Sequence, residues 1–214
     1  MPTSDYRLKD GSKVPGVTTV CGQLGWSKGA LMYWAWDQGR NGKDFRDTRD
    51  AAANSGTVAH AMIDAEIRGR KFNPDGISKD LLNKAETAYL NFLEWSKRNE
   101  LKVSATEIPM ISEKWRFGGT PDCIAYIGGK LSLLDWKTGS GLYEDHLIQL
   151  AAYKELWEEN YPDALIQGGF DLLRISKEEA GFTHYHRDAL PGCFDAFLHL
   201  RELYDIKGRL KGLK

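Results

Sequence analysis

The stretch that most constrains the fold of this chain is Gly118–Lys137, which reads GGTPDCIAYIGGKLSLLDWK. Two apolar, β-prone runs, Ile124–Ile127 and Leu131–Trp136, flank the pair Gly128-Gly129. Because two glycines can adopt the positive φ angles of a tight turn, this pattern predicts a β-hairpin. The rest of the chain is therefore expected to contribute to a sheet that contains this hairpin.

The predicted hairpin carries two acids and a lysine. Side chains alternate across a strand, so Asp135 and Lys137 should project from the same face. Asp122 stands at the start of the first strand, directly after Pro121, where a proline does least harm to the hydrogen bonds of a sheet. Folding the hairpin should bring Asp122 near the other two side chains. Two carboxylates and an ammonium on one face can bind a hard divalent cation and a water nucleophile.

The alternative is that these residues are solvent-facing charges on a half-exposed sheet, as in most isolated Asp-X-Lys sequences. Leu133, Leu134 and Trp136 interleave with the charges, which predicts that both faces of the second strand are largely buried. Unpaired charges in a buried strand are costly. Burial and clustering together favour a functional site.

These residues resemble the signature of a known family. Pro121-Asp122, followed by Asp135-Trp136-Lys137, is similar to the signature of the PD-(D/E)XK nuclease superfamily. The resemblance runs from about Val14 to Trp157 and therefore covers most of the chain.

Further motifs resemble the RecB-type exonuclease branch of that superfamily. Thr138-Gly139 extends the signature to DxKTG, and Gln149 and Tyr153 match the QxxxY pair that follows it. Upstream, Gly56–His60 matches a GxxxH motif on a predicted helix. Each motif alone is weak, whereas five in the right order carry a strong resemblance.

The resemblance implies an α/β fold with a mixed central β-sheet flanked by helices. The predicted order of helix, three strands, helix and strand matches the restriction-endonuclease-like αβββαβ core, with N-terminal helical additions. The 214 residues fit a single nuclease domain. Residues 1–100 would form its mainly helical part, which carries His60, and residues 101–214 would form the catalytic sheet and the C-terminal helix.

Periodicity and turn residues predict the remaining elements. The predicted helices are 25–39, 47–68, 78–99, 143–160 and 193–210, and the predicted strands outside the hairpin are 6–8 paired with 14–20, then 103–111, 165–175 and 181–187.

The resemblance implies a metal site for Mg²⁺ or Mn²⁺. His60, Asp122 and Asp135 would be its ligands. The family often has a glutamate on the strand before the Pro-Asp strand, so Glu107 is either a further ligand or an exposed strand residue. Asp64 lies four residues after His60 and therefore on the same helix face, where it would support a ligand rather than bind the metal itself.

The same resemblance implies the catalytic residues. Asp122, Asp135 and Lys137 would carry the hydrolysis, with Lys137 acting on the attacking water and on the phosphate charge. Gln149 and Tyr153 lie four residues apart on one helix face and would position the scissile phosphate or the strand. The alternatives are a surface amide for Gln149 and a half-buried packing ring for Tyr153.

The net charge of −1 gives no global reason to bind nucleic acid, so DNA contacts would need local basic patches. Two such patches can be recognised, and either is more commonly a solvated surface. They consist of Arg68, Arg70 and Lys71, and of Lys207, Arg209, Lys211 and Lys214.

Two groups of rings have alternative interpretations. Four aromatic residues could form a base-stacking platform, although packing is the favoured use of aromatics at helical spacing. They are Trp26, Tyr33, Trp34 and Trp36. His184 and His186 alternate on one predicted strand face without acids nearby in sequence, so they are expected to be surface residues.

Cysteine content and hydropathy limit the cofactors and the cellular location. Cys21, Cys123 and Cys193 are odd in number and far apart, which indicates reduced thiols. Three cysteines are too few for the four-cysteine iron–sulfur cluster of some RecB-type relatives, so none is predicted. No apolar run is long enough for a membrane span, and a cytoplasmic location is expected. If a phage encodes the protein, it would act in the cytoplasm of the host.

The resemblance implies a metal-dependent DNA exonuclease that acts on single-stranded or processed ends in replication, repair or recombination. Recombination or replication proteins are conceivable partners. Two alternatives are a structure-specific endonuclease or junction resolvase of the same superfamily, and a non-catalytic DNA-binding member. The GxxxH and QxxxY motifs disfavour the former, and the complete set of site residues disfavours the latter.

Overall fold

The computed structural model describes residues 5–139 and 141–213. Its six helices in these ranges are α1 Val17–Cys21, α2 Lys28–Arg40, α3 Phe45–Ile67, α4 Lys79–Arg98, α5 Glu144–Asn160 and α6 Cys193–Lys211. Its strands are β1 Lys102–Thr106, β2 Met110–Ser112, β3 Phe117–Gly119, β4 Cys123–Ile127, β5 Lys130–Lys137, β6 Phe170–Ile175 and β7 Phe182–Arg187.

The central sheet has five strands in the order β1-β4-β5-β6-β7. Strands β5 and β6 are parallel, and every other neighbouring pair is antiparallel. The parallel pair needs a crossover connection, which α5 provides. The predicted mixed sheet with an αβββαβ order is confirmed.

The predicted hairpin is formed by β4 and β5, whose ends pair Ile127 with Lys130. Gly128 and Gly129 have φ angles of 57° and 81°, the left-handed values that a two-residue hairpin turn requires. Leu133, Leu134 and Trp136 are fully buried, as the interleaved pattern predicts. This strand is therefore packed on both faces.

Helices cover both faces of the sheet. One face packs against α1, α5 and α6 through a cluster that includes Leu133, Leu156 and Phe197. The other face packs against α3 and α4 around Trp95 and Trp136. Strand β5 is central and contacts both clusters, and its carboxyl end lies between α3 and α5.

The N-terminal helical additions begin at local capping signals. Asp44 precedes α3, and its carboxylate accepts a hydrogen bond of 2.7 Å from the backbone N–H of Arg46. Ser78 caps α4 in the same way through the N–H of Leu81. Such caps satisfy backbone donors that the first helical turn leaves unpaired. Within the described ranges, no helix has the length and apolar character that crossing a bilayer demands.

The predicted strand pair at the N-terminus is wrong. Arg7 forms only an isolated antiparallel bridge with Lys13, Gly16 forms a parallel bridge with Gly118 of β3, and Val17–Cys21 is helix α1. Val17, Val20 and Cys21 lie at helical spacing and are buried against the α5 side of the sheet. Tertiary burial of this face outweighs the β propensity of valine and threonine.

The predicted strand 103–111 is interrupted. Strand β1 ends at Thr106, and Glu107 has a φ of 49°, which is incompatible with an extended strand. Met110–Ser112 then pairs with β3 in a separate two-stranded sheet. Pro109 lies in this break and lacks the N–H that a continuous strand would donate.

Strand β6 is shorter than the predicted 165–175 and begins at Phe170. Gly169 precedes it with a φ of 81°, and an added Cβ would lie 2.4 Å from the carbonyl oxygen of Arg187. The chain therefore turns sharply at this glycine before it enters the sheet, because only glycine fits both the angle and the space.

Candidate active site

The carboxyl end of β5 carries a chain of polar side chains that runs towards α5. The ammonium of Lys137 lies 2.7 Å from Oδ2 of Asp135 and donates a hydrogen bond of 3.0 Å to Oδ1. It also donates to Oε1 of Gln149 at 3.1 Å. The amide of Gln149 in turn donates to the hydroxyl of Tyr153 at 2.9 Å. These four predicted site residues are thus connected in one network.

Asp122 lies beside this network at the start of β4. Its Oδ2 accepts a hydrogen bond of 3.1 Å from the backbone N–H of Trp136, so the second strand of the hairpin holds the acid of the first. The backbone carbonyl of Asp122 also accepts from the hydroxyl of Thr106 and from the N–H of Glu107. Both Asp122 and Asp135 are buried.

Three side chains from different elements meet next to Asp122. One donor atom from each of His60 on α3, Glu107 after β1 and Asp122 lies within 4.8 Å of the others. The Nδ1 atom of His60 is 3.5 Å from Oδ1 of Asp122 and is buried without a hydrogen-bond partner among the described residues. An imidazole and two carboxylates that meet in this way, with a buried imidazole nitrogen that makes no hydrogen bond to the described residues, fit a divalent cation, for which nitrogen and oxygen donors are suitable ligands. Asp135 lies outside this three-residue group and contacts Lys137 instead.

The electrostatics of the three-residue group reflect burial and mutual charge. Burial disfavours the charged imidazole of His60, yet the carboxylates of Asp122 and Asp135 outweigh it and raise the pKa of His60. Burial likewise opposes ionisation of Asp122, but the charges of His60 and Lys137 lower its pKa. Burial and the charge of Asp122 raise the pKa of Glu107 to about 7. Both raised pKa values favour the protonated forms, so protons on His60 and Glu107 offset part of the negative charge that Asp122 carries.

The buried pair on β5 is coupled in the same way. Burial is the main cause that raises the pKa of Asp135 to about 6, and the ammonium of Lys137 opposes it. Burial also disfavours the charged form of Lys137, but Asp135 and Asp122 raise its pKa. The ammonium is therefore retained at neutral pH between two carboxylates.

Helix α3 approaches the end of β5 closely at Gly56. A Cβ atom added at Gly56 would lie 2.7 Å from Oγ1 of Thr138, so the glycine of the GxxxH motif is required for this approach. A pocket of about 170 Å³ opens beside this contact and is lined by Ala52, Ala53, Gly56, Thr57, His60 and Thr138. The contact with Thr138 was not predicted from sequence, because it joins residues that lie far apart in the chain.

Intramolecular contacts engage part of each predicted basic patch. Arg68 and Arg70 both form ion pairs of 2.6 Å with Asp64, so much of this patch is neutralised and Asp64 is committed to the arginines. In the C-terminal patch, Lys207 donates to Gln23, and Lys214 lies outside the described residues.

The packing interpretation of the aromatic residues is wrong for three of the four. Trp26, Tyr33 and Trp36 expose 66%, 68% and 55% of their surface. Trp34 alone packs inwards, edge-on to Phe45 at the start of α3.

His184 and His186 are partly exposed, but an acid that sequence reasoning missed holds both of them. Oδ1 of the buried Asp171 lies 2.8 Å from Nε2 of His184 and 3.0 Å from Nδ1 of His186. Asp171 is the only acid in β6, a strand that is otherwise largely apolar, and this is the signal that could have singled it out. Register pairs it with Leu134 and His186, on the α4 face of the sheet and away from Lys137.

All three cysteines are free thiols. Burial raises the pKa of Cys21 to about 12 and raises that of Cys123 as well. Their thiolate forms are therefore disfavoured at neutral pH.

Comparisons with solved structures return distant similarities. A proposed exonuclease from Eubacterium rectale aligns with a TM-score of 0.47 at 17% identity, covering 72% of this chain and 65% of that protein. This chain thus spans slightly less than two thirds of that protein. An alkaline exonuclease from Laribacter hongkongensis aligns with a TM-score of 0.30 at 15% identity, covering 74% and 86% of the two chains.

Sequence comparison gives a firmer result at the level of the family. Curated protein sequences give no significant match to this chain. The sequence profile of the PD-(D/E)XK nuclease superfamily matches residues 30–205, a range that contains His60, Glu107, Asp122, Asp135 and Lys137. Because this match spans most of the chain, the protein belongs to the PD-(D/E)XK nuclease superfamily.

Proposed function

We propose that this protein is a metal-dependent deoxyribonuclease that hydrolyses phosphodiester bonds from DNA ends. The observation that carries the proposal is the meeting of two groups at the carboxyl end of β5. One is the donor set of His60, Glu107 and Asp122, and the other is the ammonium of Lys137, held by Asp135 and Gln149. Hydrolysis of a phosphodiester requires both charge neutralisation and an oriented nucleophile.

The donor set would hold Mg²⁺ or Mn²⁺, both of which accept carboxylate oxygens. Such a cation neutralises phosphate charge and lowers the pKa of water. Asp135 would join these ligands when substrate arrives, since its carboxylate is already beside Lys137 at the same end of the strand. Glu107 contributes its negative charge when it loses its proton.

Lys137 would act on the reacting groups directly. Its ammonium is fixed by Asp135 on one side and by Gln149 on the other, so its third hydrogen can point towards solvent and the substrate. A fixed ammonium orients the attacking water and stabilises the charge that develops on the phosphoryl oxygens. Because Gln149 also holds the ammonium before substrate binds, the reaction needs little reorganisation of Lys137.

Gln149 and Tyr153 would maintain this arrangement. Tyr153 is 4% exposed, and its hydroxyl accepts from the amide of Gln149, which orients the amide oxygen towards Lys137. Tyr153 thus orients Gln149, and Gln149 holds the ammonium of Lys137. This role differs from the direct contact with the strand that the resemblance implies.

The catalytic proposal is tested with Lys137→Ala and a matched control on the same strand. Loss of one preorganised charge should reduce the cleavage rate on the order of a hundredfold or more. Lys130 is an exposed lysine at the first position of β5, so Lys130→Ala should cleave at the parental rate. Melting temperature checks that both variants fold. Unimpaired cleavage by Lys137→Ala would refute the assignment of this site.

Action from DNA ends, rather than at internal sites, is proposed from the GxxxH and QxxxY motifs of the RecB-type branch. Linear and covalently closed circular DNA of the same sequence separate the two modes. We expect linear DNA to be degraded and closed circles to persist. Cleavage of closed circles would instead assign an endonuclease or resolvase, and binding of both forms without cleavage would assign a DNA-binding protein.

The biological setting remains a prediction from the same resemblance. A nuclease that degrades DNA from its ends would act in replication, repair or recombination. Its expected location is the cytoplasm, and one alternative is that a phage encodes it.

A further inference from the structure

Helix α2 and the first part of α3 form an arm whose residues lie outside both hydrophobic cores. We define the arm as residues 28–54. Helix α2 has no buried residue, and the first buried residue of α3 is Ser55. A helix that buries no face gains little stability from packing. Packing within the protein therefore does not explain the large apolar side chains on the surface of α2.

The outward side of α2 carries an aromatic face, which consists of Met32, Tyr33, Trp36 and Arg40. Positions 33, 36 and 40 are three and four residues apart and therefore share one side of the helix. The rings of Tyr33 and Trp36 have centroids 5.6 Å apart, and the guanidinium of Arg40 lies 5.5 Å from the Trp36 ring. Both rings are more than half exposed.

The opposite side of α2 is the one that contacts the protein. Trp34 packs edge-on against Phe45 of α3 with centroids 6.4 Å apart. The aromatic face is therefore directed away from α3. It is exposed because α2 packs against α3 through Trp34.

The turn between the two helices is basic. Residues 40–46 contain Arg40, Lys43 and Arg46, and a single acid, Asp44. The carboxylate of Asp44 accepts the backbone N–H of Arg46 as the helix cap. In the part of the chain that the structure describes, no ion pair involves any of the three basic residues. The whole arm carries five basic and four acidic side chains, so its positive charge is concentrated in the turn beside the exposed rings, whereas the whole chain has a net charge of −1.

The base of the arm adjoins the candidate active site. The pocket beside His60 is lined by Ala52 and Ala53 at the end of the arm, together with Gly56 and Thr138. Phe45 is 15 positions before His60 on the same helix, which corresponds to about 22 Å along its axis. A single strand that passes over the arm can therefore reach the pocket, because binding sites for single strands span roughly 4 to 16 nucleotides.

We propose that the aromatic face of the arm binds single-stranded DNA as it leaves or approaches the active site. Unpaired bases would stack on Tyr33 and Trp36, and Arg40 with the basic turn would contact phosphates. Base stacking on exposed rings combined with nearby cations is the chemistry of sequence-independent single-strand binding. The inference rests on the proposed nuclease function for the identity of the strand.

Two other occupants fit the observations less well. In a duplex the bases are stacked on each other, so the rings of Tyr33 and Trp36 would have no base face to contact. A second copy of the chain, paired through the same surface on both subunits, would bring two sets of like charges from the basic turn together. The charge complementarity of an anionic strand favours the proposed ligand.

The test measures binding separately from cleavage. A labelled thymidine oligonucleotide of about 16 nucleotides is titrated in excess chelator, with fluorescence anisotropy as the readout. The double variant Tyr33→Ala/Trp36→Ala should lose affinity by about fivefold to a hundredfold for each ring removed. Arg40→Gln should weaken binding and reduce the dependence of affinity on salt by about one phosphate contact.

Tyr126→Ala provides the matched control, because Tyr126 is an aromatic residue of β4 with 46% of its surface exposed. It lies near the hairpin turn, at the end of β5 remote from Lys137, and its variant should bind like the parent. A blunt duplex should bind the parent and the double variant with equal affinity.

Several outcomes would overturn the inference. Unchanged single-strand affinity of the double variant would do so, even if the parent cleaves DNA, and the proposed nuclease function would stand. Equal losses for single strand and duplex would also refute stacking. A change from dimer to monomer in sedimentation, with unchanged DNA affinity, would assign the face to a second copy. A parent that binds single strands through these rings but cleaves nothing would support this inference and refute the proposed function.

Discussion

At the residue scale, Glu107 shows how backbone strain can serve a site. Its φ of 49° lies in the left-handed region, which costs a non-glycine residue on the order of 1 to 3 kcal/mol. The hydroxyl of Thr106 and the N–H of Glu107 both bind the carbonyl of Asp122, so two hydrogen bonds hold the strained turn. The turn ends β1 and brings the Glu107 carboxylate to His60 and Asp122.

Glu107→Gln tests whether the carboxylate of Glu107 destabilises the metal-free protein and binds a cation. The pKa of Glu107 is about 7 in the folded protein, against 4.5 ordinarily. A carboxyl with a raised folded pKa destabilises the fold once the pH exceeds its unfolded pKa, and the loss is complete above its folded pKa. In chelator, the variant should therefore melt with the parent at pH 4 and above the parent at pH 8. Differential scanning calorimetry at both pH values provides the measurement.

The same variant should behave oppositely with metal. In Mg²⁺ or Mn²⁺ at pH 8 the parent should melt higher than Glu107→Gln, because the charged ligand is then compensated. Glu100, an exposed glutamate after α4 that also has a positive φ, gives the control Glu100→Gln, which should show neither effect. An equal difference at pH 4 and pH 8 would contradict a raised pKa at Glu107.

At the scale of elements, the packing of α3 on β5 depends on the small size of Gly56. Gly56→Ala would put a Cβ 2.7 Å from Oγ1 of Thr138, and overpacking of this kind costs about 1 to 3 kcal/mol. We expect the melting temperature to fall by several degrees and the cleavage rate to fall at least tenfold, because His60 lies one turn further along α3. Thr138→Ala in the Gly56→Ala background should restore part of both losses.

Gly208 supplies the control for this prediction. It lies in α6 with no atom within 4 Å of an added Cβ. Gly208→Ala should raise stability by roughly 0.5 to 1 kcal/mol, since alanine loses less backbone entropy in a helix, and should leave cleavage unchanged. Normal cleavage and melting of Gly56→Ala would mean that α3 tolerates a wider separation from β5.

Strands β6 and β7 are joined by a pH-dependent contact around Asp171. The hydrogen bond that the His186 ring donates to the carboxylate of Asp171 is the main cause that raises the pKa of His186, and Asp188 adds to it. A histidine with a raised folded pKa stabilises the fold fully below its unfolded pKa, and this contribution is lost as the pH rises through its folded pKa. Asp171→Asn should therefore destabilise the fold more at pH 5.5 than at pH 9, by a difference that solvent screening keeps small because His186 is 44% exposed.

Chemical denaturation at the two pH values tests this prediction. Asp188→Asn is the control, because Asp188 is fully exposed and lies 3.3 Å from the same histidine. Exposed ion pairs contribute little, so this variant should differ only slightly from the parent. A loss for Asp171→Asn that is independent of pH would assign Asp171 to packing and neutral hydrogen bonds alone.

At the scale of the whole molecule, metal binding should link the helical and sheet parts. The donor set draws His60 from α3 and Glu107 and Asp122 from the sheet region, so a bound cation stabilises the folded arrangement. At a concentration one hundred times its dissociation constant, Mg²⁺ should add about 2.7 kcal/mol, which corresponds to roughly 5 to 10 °C in melting temperature for a chain of this size.

Asp122→Asn should abolish this metal-induced rise and the cleavage together. Mn²⁺ should replace Mg²⁺ in both assays, and Ca²⁺ should permit DNA binding with little hydrolysis because it is larger and less strict in geometry. Full cleavage in excess chelator would be incompatible with the proposed metal dependence.

Local sequence determined the elements whose signals lie within a few residues. Gly128-Gly129 predicts the hairpin because its positive φ angles are a local property. Strand alternation puts Asp135 and Lys137 on one face, where they are in contact. Asp44 and Ser78 mark the starts of α3 and α4 through hydrogen bonds to the next turn.

Only the tertiary structure decided the features that depend on distant partners. Val17–Cys21 is helical because its buried face meets α5 and α6, although its residues favour strands. Glu107 lies near His60 because the predicted strand is interrupted at Glu107. Asp171 contacts two histidines because β6 pairs with β7. Trp36 is exposed because Trp34 is the ring that faces α3. Periodicity specifies which faces of an element are apolar, whereas the surface that each face meets is set by long-range packing.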